Sequence, residues 1–324
     1  MKHFGIILVC IAIAGLIANA MQPTLHAHLP SDFSRTNFIL NTILKEKPQA
    51  ELMVFGNSIA MSGINTKLIK DEFQLDSEAY NFASNGQYFS ESLLYYPLIS
   101  NDCKLVLQMV RSIELEQNLQ KLDSSILRNF HFGNYNLNEN IEKELDIDIG
   151  LEYLQDASQM KLNYDHRGVL VNALNNSIRS TLRKDLNLEK LKEELYFPNV
   201  YTSKISEEKL KKMIQLHNPN PPKKSFDPSD EILELISKIQ SYFAAKGIRY
   251  ALVVFPYNPV LDNYTADYIS SLNQFVDQSE LPIISLANTL SPKDFVDHCH
   301  LSKEGGGKLT EILINKLKNS GYEL

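Results

Sequence analysis

The sequence lacks tryptophan, has only three cysteines in 324 residues, and carries no excess of basic charge. Lysine and arginine total 32 against 39 acidic residues, so the net charge is −7. This balance argues against nucleic acid or an anionic membrane surface as the main partner. The remaining composition, 44% hydrophobic and 22% charged, is that of an ordinary globular chain with one large domain or two modest ones.

Long apolar runs are also missing, except at the N-terminus. Residues 4–18 are apolar and uncharged, and Lys2 precedes them. As a helix they would extend about 22 Å, which is short for a membrane span but suits the core of a signal peptide. Ala18-Asn19-Ala20 fits a cleavage site, and an uncleaved membrane anchor within residues 1–20 is the alternative. Either reading predicts an exported, periplasmic or extracytoplasmic protein, and the anchor alternative predicts that residues 4–20 hold it at the inner membrane.

Short apolar runs that do not alternate with polar residues are typical of buried parallel strands. Helical patterns separate most of them, which predicts right-handed crossovers in a doubly wound sheet. We therefore expect a flavodoxin-like three-layer α/β/α fold with a five-stranded parallel sheet ordered 2-1-3-4-5. The predicted strands are residues 52–55, 79–83, 104–110, 250–255 and 282–286.

A region without strand-like runs separates the third and fourth predicted strands. Residues 113–226 are richer in charge and irregularly helical, which predicts a mainly helical insertion that divides one α/β domain into residues 21–112 and 227–324. Such an insertion is compatible with a lid or a partner-docking surface, and equally with a cap that has no role at the site.

Cys103 and Cys299 are not expected to form a disulfide. Cys103 precedes the third strand and Cys299 follows the fifth, so they belong to opposite edges of the sheet. A seven-residue strand is roughly 23 Å long, whereas a disulfide requires Cα atoms within about 7 Å.

Candidate catalytic residues follow two of the predicted strands. Gly56-Asn57-Ser58 ends the first strand, and Asp297 and His300 lie beyond the fifth. Ligands bind outside the carboxyl ends of parallel strands, so these residues meet at one edge. A serine nucleophile needs a base to accept its proton and a carboxylate to orient that base. Taken alone, Ser58 is explained better by capping of the next helix than by nucleophilic chemistry, and Asp297 and His300 reverse that preference.

A second interpretation treats His298, Cys299 and His300 as metal ligands. The two histidines share one side of an extended backbone, but no further ligand motif accompanies them. We therefore predict no metal site.

At these residues the chain resembles the SGNH, or GDSL-type, hydrolases. Gly56-Asn57-Ser58 resembles the family's G-D-S block, with Asn in place of Asp, and Asp297 and His300 match its D-x-x-H block. Residues 80–86 are similar to the second block, whose glycine supplies an oxyanion-hole N–H. The resemblance implies that Ser58, His300 and Asp297 form a catalytic triad, and that the backbone N–H groups of Gly86 and Ser58 form the oxyanion hole. It implies no cofactor.

The third block, G-x-N-D, is missing. Residues 108–112 read Gln-Met-Val-Arg-Ser at the equivalent strand end, so the oxyanion-hole asparagine is absent. Asn85 and Arg111 are the candidates to replace it. Loss of one oxyanion donor typically lowers turnover on the order of 10²–10³-fold.

An exported chain with a degenerate third block resembles the SGNH proteins that modify bacterial surface polysaccharides and teichoic acids. The resemblance implies a serine-dependent esterase or acyl-ester transferase of the cell envelope, acting on O-acyl groups of a saccharide. The alternative function is a non-catalytic SGNH-fold binding or assembly protein that partners a membrane O-acyltransferase.

Overall fold

The computed structural model describes residues 50–122, 140–151, 195–198, 201, 203–217, 223–261 and 265–322, with scattered helical residues before position 41. Two compact units are distinguished, and the larger one, residues 47–121, 140–149 and 189–324, contains the sheet. The other unit comprises residues 1–46, 122–139 and 150–188, most of which lie outside the described ranges.

The sheet has five strands, all parallel, in the order β2-β1-β3-β4-β5. The predicted fold class and strand order are therefore confirmed. Every residue of the two central strands β1 and β3 is buried, because helices cover both faces of the sheet. The strands are β1 (Ala50–Phe55), β2 (Glu78–Asn81), β3 (Leu105–Val110), β4 (Arg249–Val254) and β5 (Ile283–Ser285).

Helices alternate with these strands as the sequence pattern indicates. In chain order they are α1 (Ser58–Gly63), α2 (Thr66–Phe73), α3 (Phe89–Leu93), α4 (Ser112–Leu115), α5 (Asn140–Leu145), α6 (Glu207–His217), α7 (Asp230–Ala244), α8 (Ala266–Gln278) and α9 (Lys303–Asn319). Two 3₁₀ turns, Tyr96–Leu98 and Pro292–Asp294, accompany these helices.

The two faces of the sheet have different cores. Helices α1, α2 and α9 cover one face with mainly aliphatic side chains, among them Ile69, Leu309 and Leu313. On the other face aromatic rings interlock, and the Tyr96 ring lies 4.9 Å from that of Phe243 on α7. These packed layers fix the carboxyl edge of the sheet, where the candidate site lies.

Two helix starts bear on the packing of the domain. Helix α1, Ser58–Gly63, is completely buried after its first residue. Helix α7 begins at Asp230, and its N-cap is Ser229. Pro228 is accommodated in the extended chain before the cap.

The predicted insertion lies largely outside the described residues. Its described parts include the helices α5 and α6, and residues 195–198, 201 and 203–206, which precede α6. At the end of the predicted insertion, the chain is described again from Lys223 onward.

The N-terminal prediction is also only sparsely covered. The described residues between positions 5 and 17 are helical, and apolar side chains such as Ile6 and Leu16 are exposed. Within the described part of the chain, no helix combines the length and the apolar character needed to cross a membrane.

Both cysteines of the larger unit are free thiols. Cys103 is buried at the amino end of β3, and Cys299 lies beyond the carboxyl end of β5. This placement agrees with the topological argument against a disulfide.

Helix α9 approaches α1 so closely that one glycine is required. A Cβ at Gly306 would lie 2.3 Å from the Ser62 carbonyl oxygen and 2.8 Å from Phe197 Cζ. The neighbouring Gly307 has open space around its Cβ position.

We expect Gly306→Ala to lower the free energy of unfolding by about 1–3 kcal/mol, because the backbone must move to make room for the added methyl group. Gly307→Ala, the matched control, should raise it by about 0.5–1 kcal/mol through helix propensity. Urea unfolding of both variants measures this, and equal midpoints would contradict the close approach.

Candidate active site

Strand β1 turns sharply at Gly56 before α1 begins. Gly56 has φ +148°, and a Cβ there would lie 2.9 Å from Met109 Cβ and 3.0 Å from Ala60 Cβ. Only glycine fits between β3 and the first turn of α1. This close passage places Ser58 directly over the carboxyl end of the sheet.

Asn57, and not Ser58, caps helix α1. The Asn57 side-chain oxygen accepts a hydrogen bond of 2.9 Å from the Ile59 N–H, and Ser58 is the first helical residue. The interpretation of Ser58 as the helix cap is therefore wrong. Asn57 thus has a local structural role, and the Ser58 hydroxyl is directed elsewhere.

A short hairpin after the second 3₁₀ turn carries Asp297 and His300. Phe295 and Leu301 pair in an antiparallel bridge, and the Val296 N–H donates to the His300 carbonyl at 2.9 Å. The Leu301 N–H donates to Ser62 Oγ at 3.2 Å, which ties this hairpin to α1. We call residues 295–301 the triad hairpin.

Asn258, after strand β4, also supports the triad hairpin. Its side chain is only 2% exposed, and its Nδ2 donates to the Asp297 carbonyl at 2.8 Å. The hairpin is therefore joined to both α1 and the β4 loop, which fixes His300 with respect to Ser58.

The three candidate residues form a hydrogen-bonded chain. Ser58 Oγ lies 2.8 Å from His300 Nε2, and His300 Nδ1 lies 2.8 Å from Asp297 Oδ2. An ionised carboxylate only accepts hydrogen bonds, so Nδ1 carries the proton and Nε2 accepts from the serine hydroxyl. This is the tautomer that a general base needs.

The charge on Asp297 is strongly stabilised. Burial alone would raise the pKa of its carboxyl, but hydrogen bonds from the His300 ring and from the Cys299 and His300 N–H groups lower that pKa to about 2. The two backbone bonds to Oδ1 are 2.9 and 2.7 Å long. Asp297 is therefore ionised throughout the neutral range.

A second buried acid, Asp294, gives a prediction for acid stability. Burial opposes its ionisation, but bonds from Lys308 and Ser291 lower its pKa to about 2 from an ordinary 3.8. A lowered folded-state pKa contributes stability that is complete above about pH 4 and lost as pH falls through about 2. We expect the free energy of unfolding to fall between pH 4 and 2, and to fall less in Asp294→Asn. Urea titrations at each pH measure this.

The matched control for that experiment is Asp277→Asn, because the Asp277 side chain is exposed on α8. It should follow the wild-type pH dependence. If the free energy of unfolding fell equally steeply between pH 4 and 2 in wild type and in Asp294→Asn, the lowered pKa of Asp294 would be contradicted.

The loop after β2 lies against the turn that carries Ser58. The Ser84 N–H donates to the Gly56 carbonyl at 3.0 Å, and the Asn81 side chain donates to the Ala60 and Ile64 carbonyls. Gly86 follows in this loop with φ +67°. The structure thus brings the predicted second block to the same edge as the triad.

The two candidate replacements for the missing third-block asparagine have different surroundings. Asn85 accepts a hydrogen bond of 3.4 Å from the Tyr201 hydroxyl, next to His300. Arg111 follows β3, and its guanidinium pairs with Glu114 at 2.9 Å. Both candidates are therefore already engaged by a neighbouring side chain, Asn85 by Tyr201 and Arg111 by Glu114.

The metal interpretation involves the same donors as the triad. Among the described residues, donor atoms of Asp297, Cys299 and His300 lie within 4.8 Å of one another. Both His300 ring nitrogens, however, already face Ser58 and Asp297. Burial, together with the nearby Asp297 charge, raises the pKa of the Cys299 thiol, whereas a metal ligand must be a thiolate. The arrangement fits a proton relay better than a metal centre.

Tyr201 was not predicted from the sequence. Its ring stacks on the His300 imidazole with centroids 3.9 Å apart and an angle of 14° between the planes. It belongs to the region without a recognisable pattern, so no local signal marks it.

The arrangement can activate a hydroxyl for attack on an electrophilic carbon, because a base and its orienting carboxylate are both in place. A scan of protein-family models and a search of curated proteins find no match to this chain.

Proposed function

We propose that this chain is a serine-dependent esterase or acyl-ester transferase related to the SGNH hydrolases. The observation that carries the proposal is the chain of two 2.8 Å contacts from Ser58 Oγ through His300 to Asp297. The residues come from opposite ends of the sequence, and each is held by its own backbone contacts.

Ser58 Oγ attacks the carbonyl carbon of an ester while its proton passes to His300 Nε2. The carbonyl π electrons move to oxygen, and the resulting tetrahedral intermediate expels the alcohol, which takes the proton from Nε2. This leaves an acyl group on Ser58. An acceptor hydroxyl then gives its proton to Nε2 and attacks the acyl carbon. The second tetrahedral intermediate expels Ser58 Oγ, which takes the proton back from Nε2 and restores the free serine and the neutral His300. Asp297 stays ionised and stabilises the imidazolium in both halves.

The negative oxygen of each tetrahedral intermediate requires hydrogen-bond donors. We assign this role to the backbone N–H groups of Ser58 and Gly86, with the Asn85 side chain as a further candidate. A site with fewer donors than the family pattern supports lower turnover, since each donor typically contributes on the order of 10²–10³-fold.

Water as the acceptor gives hydrolysis, and a sugar hydroxyl gives acyl transfer. We propose an O-acylated polysaccharide of the cell envelope as the substrate class, which rests on the N-terminal sequence and the family resemblance. The experiment supplies an O-acetylated oligosaccharide with and without an unacetylated acceptor, and measures free acetate against acetylated acceptor. Wild type should form one of the two products, and Ser58→Ala should form neither.

The second candidate is a binding or assembly protein that acts beside a membrane O-acyltransferase without catalysis of its own. The missing third-block asparagine and the engagement of Arg111 by Glu114 favour it. It predicts neither product in the same experiment, although wild type and Ser58→Ala should bind the oligosaccharide equally.

A further inference from the structure

Part of the predicted insertion contacts the carboxyl edge of the sheet. We call its described residues, 195–198, 201 and 203–206, the strap. At one end the Leu195 carbonyl accepts from the Asn81 N–H at 2.6 Å, and the Tyr196 carbonyl accepts from the Thr66 N–H at 2.9 Å. At the other end the Ile205 N–H donates to the Val296 carbonyl at 3.0 Å. The strap therefore joins the β2 side of the domain to the triad hairpin.

Tyr201 lies between these two attachments, over the triad. Its ring is nearly parallel to the His300 imidazole at 3.9 Å, and its hydroxyl donates to Asn85 Oδ1 at 3.4 Å. One side chain thus contacts both the candidate base and the loop of the candidate oxyanion hole.

We propose that Tyr201 is a positioning residue for His300, a role that rests on the proposed function. Asp297 and Ser58 contact Nδ1 and Nε2 of the imidazole, but contacts at these two nitrogens leave the ring free to tilt about the line that joins them. The flat contact with Tyr201 restricts that tilt and keeps Nε2 directed at Ser58. The electron-rich face of the tyrosine ring also stabilises the imidazolium that forms when Ser58 loses its proton.

The size of the effect follows from the chemistry of the contact. A cation over an aromatic face gains enough stabilisation to change a rate by about 3- to 30-fold. The hydroxyl contact to Asn85 is long and partly exposed, so its loss should change the rate by less than about threefold.

The experiment compares Tyr201→Leu, which keeps bulk but removes the ring, with Tyr201→Phe, which keeps the ring and removes the hydroxyl. The readout is the rate at which a fluorophosphonate labels Ser58 in the full chain, alongside the NMR resonances of the His300 ring protons. We expect Tyr201→Leu to label about 3- to 30-fold more slowly and to lose the upfield ring-current shift. Tyr201→Phe should keep both the wild-type rate, within about threefold, and the shift.

Lys204→Ala is the matched control, because Lys204 is an exposed strap residue. It should label like wild type. Equal labelling of wild type and Tyr201→Leu, or unchanged His300 resonances in Tyr201→Leu, would overturn the role of Tyr201 alone. A wild type that shows the ring-current shift but does not label would overturn the proposed function, and the positioning role with it.

Discussion

Replacement of Ser58 by alanine is expected to lower turnover of a short acyl ester by on the order of 10³–10⁵-fold. In the proposed mechanism Ser58 is the group that becomes acylated, and its 2.8 Å contact to His300 Nε2 allows that base to take the hydroxyl proton. Without it, any remaining rate comes from direct attack by water. The lower end of the range applies if the absence of an oxyanion asparagine has already lowered the wild-type turnover, because the ratio of wild-type to variant turnover is then smaller.

The control for this variant is Ser241→Ala, on an exposed position of α7 where the hydroxyl only donates to the Ser237 carbonyl. It should retain wild-type turnover. Both variants should keep the wild-type far-ultraviolet spectrum. Full activity of folded Ser58→Ala would exclude the acyl-enzyme.

Asp297→Asn is expected to lower turnover by about 10³–10⁴-fold while the fold is retained. The carboxylate accepts a hydrogen bond of 2.8 Å from the protonated Nδ1 of His300. Nε2 is therefore unprotonated and can accept the proton of the Ser58 hydroxyl. An asparagine amide that donates to Nδ1 would place the proton on Nε2, where it opposes the serine hydroxyl. The loss should appear in kcat, because the ester does not contact Asp297 in the proposed mechanism.

Asp294→Asn is the control that distinguishes a change of the His300 tautomer from the loss of a buried charge. Asp294 lies three residues earlier and pairs with Lys308 at 2.6 Å and with Ser291 Oγ at 2.7 Å. Its neutralisation should reduce stability but leave kcat near the wild-type value. Equal losses of kcat in the two variants would indicate a general disturbance of the triad hairpin instead of a change of tautomer.

The sheet and the three candidate residues were predictable because both depend on local patterns and chain order. Apolar runs mark the strands, and the carboxyl ends of parallel strands share one edge, so Ser58 and His300 had to approach each other. The resemblance in residues 80–86 identified the loop that Ser84 joins to Gly56.

Three details of the structure were not predictable, because they depend on competition between neighbouring residues or on contacts between residues far apart in the chain. Asn57 and Ser58 are both good helix caps, and only the backbone geometry shows that Asn57 accepts from Ile59. The need for glycine at position 306 comes from the Ser62 carbonyl, far away in sequence. Tyr201 contacts His300 from the strap, which is attached in part through backbone groups such as the Leu195 carbonyl, and backbone attachments leave no residue pattern.

The central claim, that Ser58 is a nucleophile activated by His300, is tested most directly by mass spectrometry after reaction with a fluorophosphonate. We predict one adduct on folded wild type, located on Ser58 by peptide mapping, and none on Ser58→Ala. Folded wild type that gains no adduct, or gains it at another residue, would contradict the claim.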